Sequence, residues 1–101
     1  MIVAFNPEKV RIVAALPRRT AHALHALLES SREMNMPVTA AEAMLYDEEA
    51  MGPRGTAMAL KHAQRLGYCF VTPGGYWVPG NATYDLRYAL EDRYLRETEA
   101  I

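Results

Sequence analysis

The chain has 101 residues, half of them hydrophobic and 23% charged, and its formal net charge is -1. This length allows one domain, and no apolar run approaches the ~20 residues needed to span a bilayer, so we expect a cytoplasmic protein without a membrane partner. The single cysteine, Cys69, excludes an intramolecular disulfide, and the near-neutral charge excludes an overall basic composition typical of nucleic-acid-binding domains.

The first 16 residues fit two structures. Two β-prone segments, 1–5 and 10–14, flank Asn6-Pro7-Glu8-Lys9, a pattern typical of a type I turn, and this favours a hairpin. The alternative is a short helix in which Asn6 is the N-cap and Pro7 is the first helical residue.

A long helix is predicted from Arg18 or Arg19 to Met34, because its apolar residues recur at helical spacing. These residues form two lines: Ala21, Leu24 and Leu28, and Ala23 and Leu27. Pro37 ends the helix, because a proline disfavours the helical conformation in the residue before it. Residues 36–38 then form a short extended segment.

A second helix is predicted from residue 40 to about residue 49. Thr39 is a favourable N-cap, and Glu42, three residues later, completes a capping box. After a turn, a third helix runs from about residue 53 to residue 66, with Gly67 as its C-terminal cap. Its inward stripe consists of Thr56, Leu60, Ala63 and Leu66.

The segment that follows predicts a β-hairpin. Two aromatic-rich strands, 68–71 and 76–78, flank the turn Thr72-Pro73-Gly74-Gly75. Alternation along the second strand places Trp77 in the core and Tyr76 outside; an exposed aromatic residue here would be able to stack on a base or on a partner protein.

A last helix is predicted from Tyr84 to about Thr98, with Thr83 as its N-cap. One apolar line, Leu86, Leu90 and Tyr94, is expected to pack against the domain. A second line is a candidate dimer contact and consists of Tyr84, Tyr88 and Leu95. The alternative is that these side chains cover the surface singly.

The charges are unevenly distributed. Residues 29–49 contain six acidic residues and one basic residue. Residues 50–80 contain Arg54, Lys61 and Arg65 and none of the 12 acidic residues of the chain. This acid-free segment is the main electrostatic signal in the sequence.

The order helix, short strand, helix, turn, helix, hairpin and helix resembles the winged helix-turn-helix superfamily over roughly residues 18–78. The resemblance is carried by Thr39-Ala40-Ala41-Glu42-Ala43, Met51-Gly52-Pro53, Thr56-x3-Leu60-x5-Leu66-Gly67-Tyr68 and the hairpin. These segments are similar to the second helix, turn, recognition helix and wing of regulators of the MarR and PadR type. The resemblance implies a mainly α domain with a β-hairpin wing: an N-terminal element over 1–16, a winged-helix core over 18–80 and a C-terminal helix over 83–99.

In that superfamily the third helix enters the DNA major groove and the wing contacts the backbone or the minor groove. The resemblance therefore implies a DNA-binding face on the helix over 53–66. This face consists of Arg54, Gly55, Ala57, Met58, Lys61, His62 and Arg65. Its cations would neutralise phosphates, and Arg54, at the helix start, would be able to pair with guanine.

Arg18 and Arg19 are candidate flanking phosphate contacts; alternatively, they offset the acidic second helix. Two features oppose DNA binding: the hairpin tip has no basic residue, and Ala57 and Met58 place apolar surface where side chains that read bases would lie.

Other chemistry is not expected. His22 and His25 are predicted to be surface histidines, because a zinc site needs about four suitably spaced ligands, and Cys69 is predicted to be a buried, inert thiol. The chain has no phosphate loop, no Gly-x-Ser-x-Gly and no His-Glu-x-x-His, so we expect no enzyme, metal or cofactor.

The sequence thus predicts a sequence-specific DNA-binding protein, a small transcriptional regulator that binds double-stranded DNA through the helix over 53–66, as a candidate homodimer. The alternative is a winged-helix interaction module that binds a protein component of the transcription or replication machinery without reading DNA.

Overall fold

A computed structural model describes residues 7–47, 51–80 and 84–99. In chain order, these residues form α1 (Pro7–Ala15), α2 (Arg18–Met34), α3 (Ala40–Met44), α4 (Gly52–Arg65), β1 (Cys69–Val71), β2 (Trp77–Pro79) and α5 (Tyr84–Thr98). The fold is therefore mainly helical with a small antiparallel hairpin, as predicted. No described helix has the length and the apolar character to cross a bilayer. The predicted N-caps Asn6 and Thr83 lie outside the described residues.

Residues Pro7–Ala15 form a helix, so the favoured hairpin prediction is wrong and the alternative is correct. The β-prone composition is overridden by tertiary packing, because Val13 and Leu16, three residues apart, are both buried and α1 packs against α5. The Arg93 side chain of α5 donates to the carbonyl oxygens of Val13 and Leu16 over 2.6 and 2.7 Å. It thereby satisfies carbonyl groups that a helix C-terminus leaves without helical partners.

The middle of α2 is the centre of the molecule. Every residue from 20 to 28 is buried, because α3, α4, α5 and β2 all pack against this helix. Both predicted apolar lines are confirmed as core. Asn35 ends α2 in the left-handed conformation with φ 52°.

The predicted capping box of α3 is confirmed. The hydroxyl of Thr39 accepts the backbone N–H of Glu42 at 3.1 Å, and the Glu42 carboxylate accepts the backbone N–H of Thr39 at 2.9 Å. The helix ends at Met44 rather than near residue 49. Its last turn tightens, because the backbone N–H groups of Tyr46 and Asp47 bond three residues back, and Asp47 then turns into the interior.

The C-terminal cap of α4 is also confirmed. Gly67 has φ +86°, and the backbone N–H groups of Gly67 and Tyr68 bond to the carbonyl oxygens of Gln64 and Ala63 at 2.9 and 3.0 Å. This paired arrangement is a Schellman motif.

The inward stripe of α4 is confirmed for three of its four members. Thr56, Leu60 and Ala63 are fully buried. Leu66 is exposed, so its predicted inward position is wrong. Leu66 is the C-cap and still has a helical backbone conformation; three residues after Ala63, it lies about 60° further around the helix axis, at the edge of the stripe.

The hairpin is anchored on two sides. β1 and β2 pair with Phe70 opposite Val78, and Trp77 is buried while Tyr76 is exposed, as predicted. The backbone N–H and carbonyl of Trp77 both bond to Val38, over 2.6 and 3.2 Å, so the extended segment before α3 joins the edge of β2. The Cys69 thiol donates to a carbonyl oxygen of α4 at 3.4 Å, which ties the other strand to that helix.

Replacing Arg93 by Ala is expected to lower the free energy of unfolding by about 3 kcal/mol, because two carbonyl groups and the Glu97 carboxylate lose a charged, largely buried donor. Urea denaturation monitored by circular dichroism measures the change. The matched control is Arg96→Ala, which removes an exposed ion pair with Asp92 and is expected to cost less than about 0.5 kcal/mol. Equal losses in the two variants would contradict the assigned role of Arg93.

Candidate nucleic-acid interface

Four exposed side chains follow one stripe along α4: Arg54, Met58, Lys61 and Arg65. Their spacing of four, three and four residues matches the helical repeat, so all four project within a narrow sector of the helix surface. The buried residues of α4 lie on the opposite side and pack against the rest of the domain. The stripe is therefore a solvent-facing surface with three cations and one central apolar side chain.

Two smaller predicted residues border this stripe. Gly55 and Ala57 are half-buried. A Cβ atom built on Gly55 would lie 3.2 Å from the Cβ of Met51, a tight contact. Packing against Met51 therefore gives Gly55 a structural role in addition to any role in a close approach to a ligand.

His62 lies at the edge of the stripe rather than fully on it. It is half-buried, and its Nδ1 lies 2.9 Å from the hydroxyl oxygen of Thr20, within hydrogen-bond distance. This contact holds the last third of α4 against the start of α2. One ring nitrogen is consequently engaged within the protein, and only Nε2 is left for the DNA contact that the sequence predicted for this side chain.

The same contact positions the predicted flanking cations. Arg18 and Arg19 directly precede Thr20 and are exposed, so they lie near the end of α4 that carries His62. Arg18 is drawn toward α5, since its guanidinium donates to the carbonyl oxygen of Glu97 at 3.4 Å and lies 3.9 Å from the Glu97 carboxylate. Of the two, Arg19 is therefore better suited to contact an external group.

The acidic segment of the sequence presents less negative charge near α3 than its composition indicates. The Glu42 carboxylate is held in the capping box, and Asp47 is buried. The predicted acidic helix surface is thus wrong for Asp47. The reason is the early end of α3, which turns this side chain inward.

The hairpin contributes apolar rather than basic surface. Residues 66–80 contain no charged side chain. Phe70 is 54% exposed, and Val71 and Tyr76 are also exposed. The turn is well defined, because the backbone N–H of Thr72 donates to the carbonyl oxygen of Tyr76 at 2.8 Å.

Sequence reasoning missed a second group of polar residues, which we name the interior polar cluster: His22, His25, Asp47, Tyr94 and Glu97. The prediction that both histidines lie at the surface is wrong, since His22 is 1% and His25 is 7% exposed. The reason is that α5 and the segment after α3 cover the side of α2 that carries them. The sequence does contain a pattern that indicates their burial: the two apolar lines of α2 flank both histidines, as in a helix that is buried on all sides.

The cluster joins three parts of the chain. The His22 ring lies 2.9 Å from the Glu97 carboxylate through Nε2 and 4.0 Å from the Asp47 carboxylate through Nδ1. His25 stacks on Tyr94 with ring centroids 4.4 Å apart. The cluster thereby connects α2 both to α5 and to the segment that leads into α4.

Burial sets the protonation behaviour of these groups. Desolvation lowers the pKa of His25 below its ordinary value of 6.5, and outweighs the opposing effect of the Glu29 and Glu91 carboxylates. Burial raises the pKa of Glu97, but the hydrogen bonds from His22 and Arg93 outweigh it, and the pKa is lowered overall.

Cys69 is a buried thiol, as predicted, and burial raises its pKa to about 12. It is therefore protonated and unreactive at neutral pH. Within residues 7–47, 51–80 and 84–99, no three His, Cys, Asp or Glu residues are grouped so that they would hold a metal ion.

Comparison of the chain with protein-family models, with curated proteins and with solved structures finds no match.

The lowered pKa of His25 predicts a pH dependence of stability. As the pH falls below about 6.5, His25 takes up a proton in the unfolded chain but stays neutral in the folded chain, whose His25 pKa is lower. The free energy of unfolding therefore decreases as the pH falls from about 6.5 to the folded pKa of His25. His25→Phe retains an aromatic ring against Tyr94 and removes the titrating group, so its stability is expected to fall less steeply with pH. Urea denaturation between about pH 7.5 and pH 5.5 measures both slopes; equal slopes would show that His25 is not the linked group.

Proposed function

We propose that this chain is a winged helix-turn-helix domain that binds double-stranded DNA by inserting α4 into the major groove, and that it acts as a small transcriptional regulator. The observation that carries the proposal is the exposed stripe of Arg54, Lys61 and Arg65 within a 31-residue segment, 50–80, that has no carboxylate. The major groove is about 12 Å wide and admits one α-helix. An unopposed positive stripe along such a helix is complementary to the phosphates on either side.

The arrangement around α4 supports this proposal. α3 and α4 pack against each other and against α2, and the chain passes directly from α4 into the hairpin. The backbone pairing of Val38 with Trp77 joins the segment before α3 to the hairpin. This order of elements and this strand contact agree with a helix-turn-helix followed by a wing.

The side chains of the stripe make different contacts with DNA in this proposal. Arg54, in the first turn of α4, is the residue suited to a bidentate contact with guanine, worth about 1–3 kcal/mol of discrimination. Lys61 and Arg65 neutralise phosphates, and Arg19 contacts a flanking phosphate. Met58, at the centre of the stripe, offers apolar contact to a thymine methyl group.

A homodimer strengthens this binding. Along α5, Leu86, Leu90 and Tyr94 are buried, whereas Tyr88 and Leu95 are exposed. The side chain of Tyr84 lies outside the described structure. Two copies paired through α5 would present two α4 helices to successive major grooves, about 34 Å apart. The number of phosphate contacts would then double.

The second candidate function is a protein-interaction module. It is favoured by the apolar side chains that the same surface exposes, since Met58 is 66% and Phe70 is 54% exposed and the hairpin is uncharged. In this alternative, Met58 and the hairpin aromatics bind a component of the transcription or replication machinery, and the cations contribute only solubility.

Random duplex DNA, titrated by fluorescence anisotropy across a salt series, is expected to bind the wild-type chain with a log–log salt slope of about -3.6 per monomer. On random DNA Arg54 has no fixed guanine, so it lies near phosphates and displaces counterions together with Arg19, Lys61 and Arg65. The double variant Arg54→Gln/Lys61→Gln is expected to bind more weakly and to lose about 2 units of that slope.

The matched control is Arg11→Gln/Arg96→Gln, which removes the same charge from exposed positions on α1 and α5 and is expected to retain nearly the whole slope. Equal losses in the two double variants would overturn the assignment to α4. No binding of the wild-type chain at low salt would favour the protein-interaction module.

Sedimentation equilibrium is expected to give twice the 11.3 kDa of one chain for the wild type. Leu95→Glu is expected to give a monomer, because a carboxylate would be buried in the apolar contact of α5. Leu45→Glu places the same charge on a side chain that is 77% exposed near the end of α3, and this control should remain dimeric. A wild-type chain that is monomeric throughout the accessible concentration range would rule out the dimer.

A further inference from the structure

A cleft lies between the second half of α2 and the first half of α5. Its volume is about 410 Å³, within the range of about 300–1,000 Å³ that is typical of small-molecule sites. Five residues line it: Glu29, Arg32, Arg87, Tyr88 and Glu91. Two guanidinium groups, two carboxylates and one phenol therefore surround the same space.

The four charged groups of the cleft do not neutralise one another. None of them forms an ion pair with another residue in the described parts of the chain. Their spacing permits pairing, since Arg87 and Glu91 are four apart and Glu29 and Arg32 are three apart on their helices. Asp92 and Arg96, at the same spacing on α5, do pair, at 2.9 Å.

A buried polar group lies beside the cleft. His25 is 7% exposed, and its Nδ1 has no hydrogen-bond partner among the described residues. It precedes Glu29 by four residues, which is about one turn of α2. His25 is not among the residues that line the cleft, so the charged side chains and Tyr88 carry the contacts with a ligand.

We propose that this cleft binds a small zwitterion of the amino-acid class. The ligand carboxylate pairs with Arg32 and Arg87, its ammonium group pairs with Glu29 and Glu91, and its side chain lies along Tyr88. An anion would satisfy only the guanidinium groups, and a cation only the carboxylates, whereas a zwitterion compensates all four charges. No residue of the cleft belongs to α4 or to the hairpin, so the proposal does not rest on DNA binding; the cleft shares Tyr88 with the proposed dimer contact of α5.

The test is a calorimetric titration of the full-length chain with each standard L-amino acid in turn. At least one is expected to bind with a dissociation constant in the millimolar range or tighter. For L-phenylalanine, the matched probes are 3-phenylpropionate, which lacks the ammonium group, and 2-phenylethylamine, which lacks the carboxylate. Each analogue is expected to bind at least about tenfold more weakly than L-phenylalanine, because one pair of charged hydrogen bonds is lost.

Two variants locate the site. Arg87→Gln and Glu91→Gln are each expected to weaken the best amino acid about tenfold or more, while circular dichroism shows the wild-type helix content. The control Arg96→Gln, on the same helix and outside the cleft, should bind as the wild type does. The proposal fails if no amino acid binds at millimolar concentration, if the singly charged analogues bind equally well, or if Arg87→Gln and Arg96→Gln have the same effect.

Discussion

The complete burial of the middle of α2 is the constraint on which the rest of this structure depends. A chain of this length has a modest core, and here that core is built around one helix covered by α3, α4, α5 and β2. Because no side of α2 between residues 20 and 28 faces solvent, its polar side chains need partners within the protein. The Glu97 carboxylate is the partner of Nε2 of His22, and Nδ1 of His62 is the partner of the Thr20 hydroxyl.

This central helix also decides which surface of α4 remains available. α4 packs against α2 and α3 with Thr56, Leu60 and Ala63 buried, and Nδ1 of His62 lies within hydrogen-bond distance of the Thr20 hydroxyl on α2. The opposite side, with Arg54, Met58 and Lys61, is left to solvent. An exposed cationic stripe is therefore a consequence of how the core is filled, and its charge comes from a segment that lacks acidic residues altogether.

α5 packs against α2 and α1 and joins them through polar side chains. Through Arg93 it closes the end of α1, and through Glu97 it reaches His22 in the interior. Its exposed side carries the side chains proposed for self-association, Tyr88 and Leu95. It also carries Arg87 and Glu91, which line the cleft opposite Glu29. A single helix thus stabilises the N-terminal part of the chain while presenting surface chemistry unlike that of α4.

The sequence by itself determined the features that depend on neighbouring residues. Thr39 and Glu42 predict a capping box three residues apart, Gly67 predicts a left-handed cap, and the spacing of Arg54, Lys61 and Arg65 predicts a common stripe; each of these patterns lies within a few turns of one helix. The tertiary structure alone decided that residues 7–15 are helical, that Asp47 turns inward and that Leu66 is exposed.

The tertiary structure alone also decided that His22 and His25 are buried. The physical reason is distance along the chain: His22 meets its partner Glu97 across 75 residues, and no local pattern specifies which helix will cover a polar side chain.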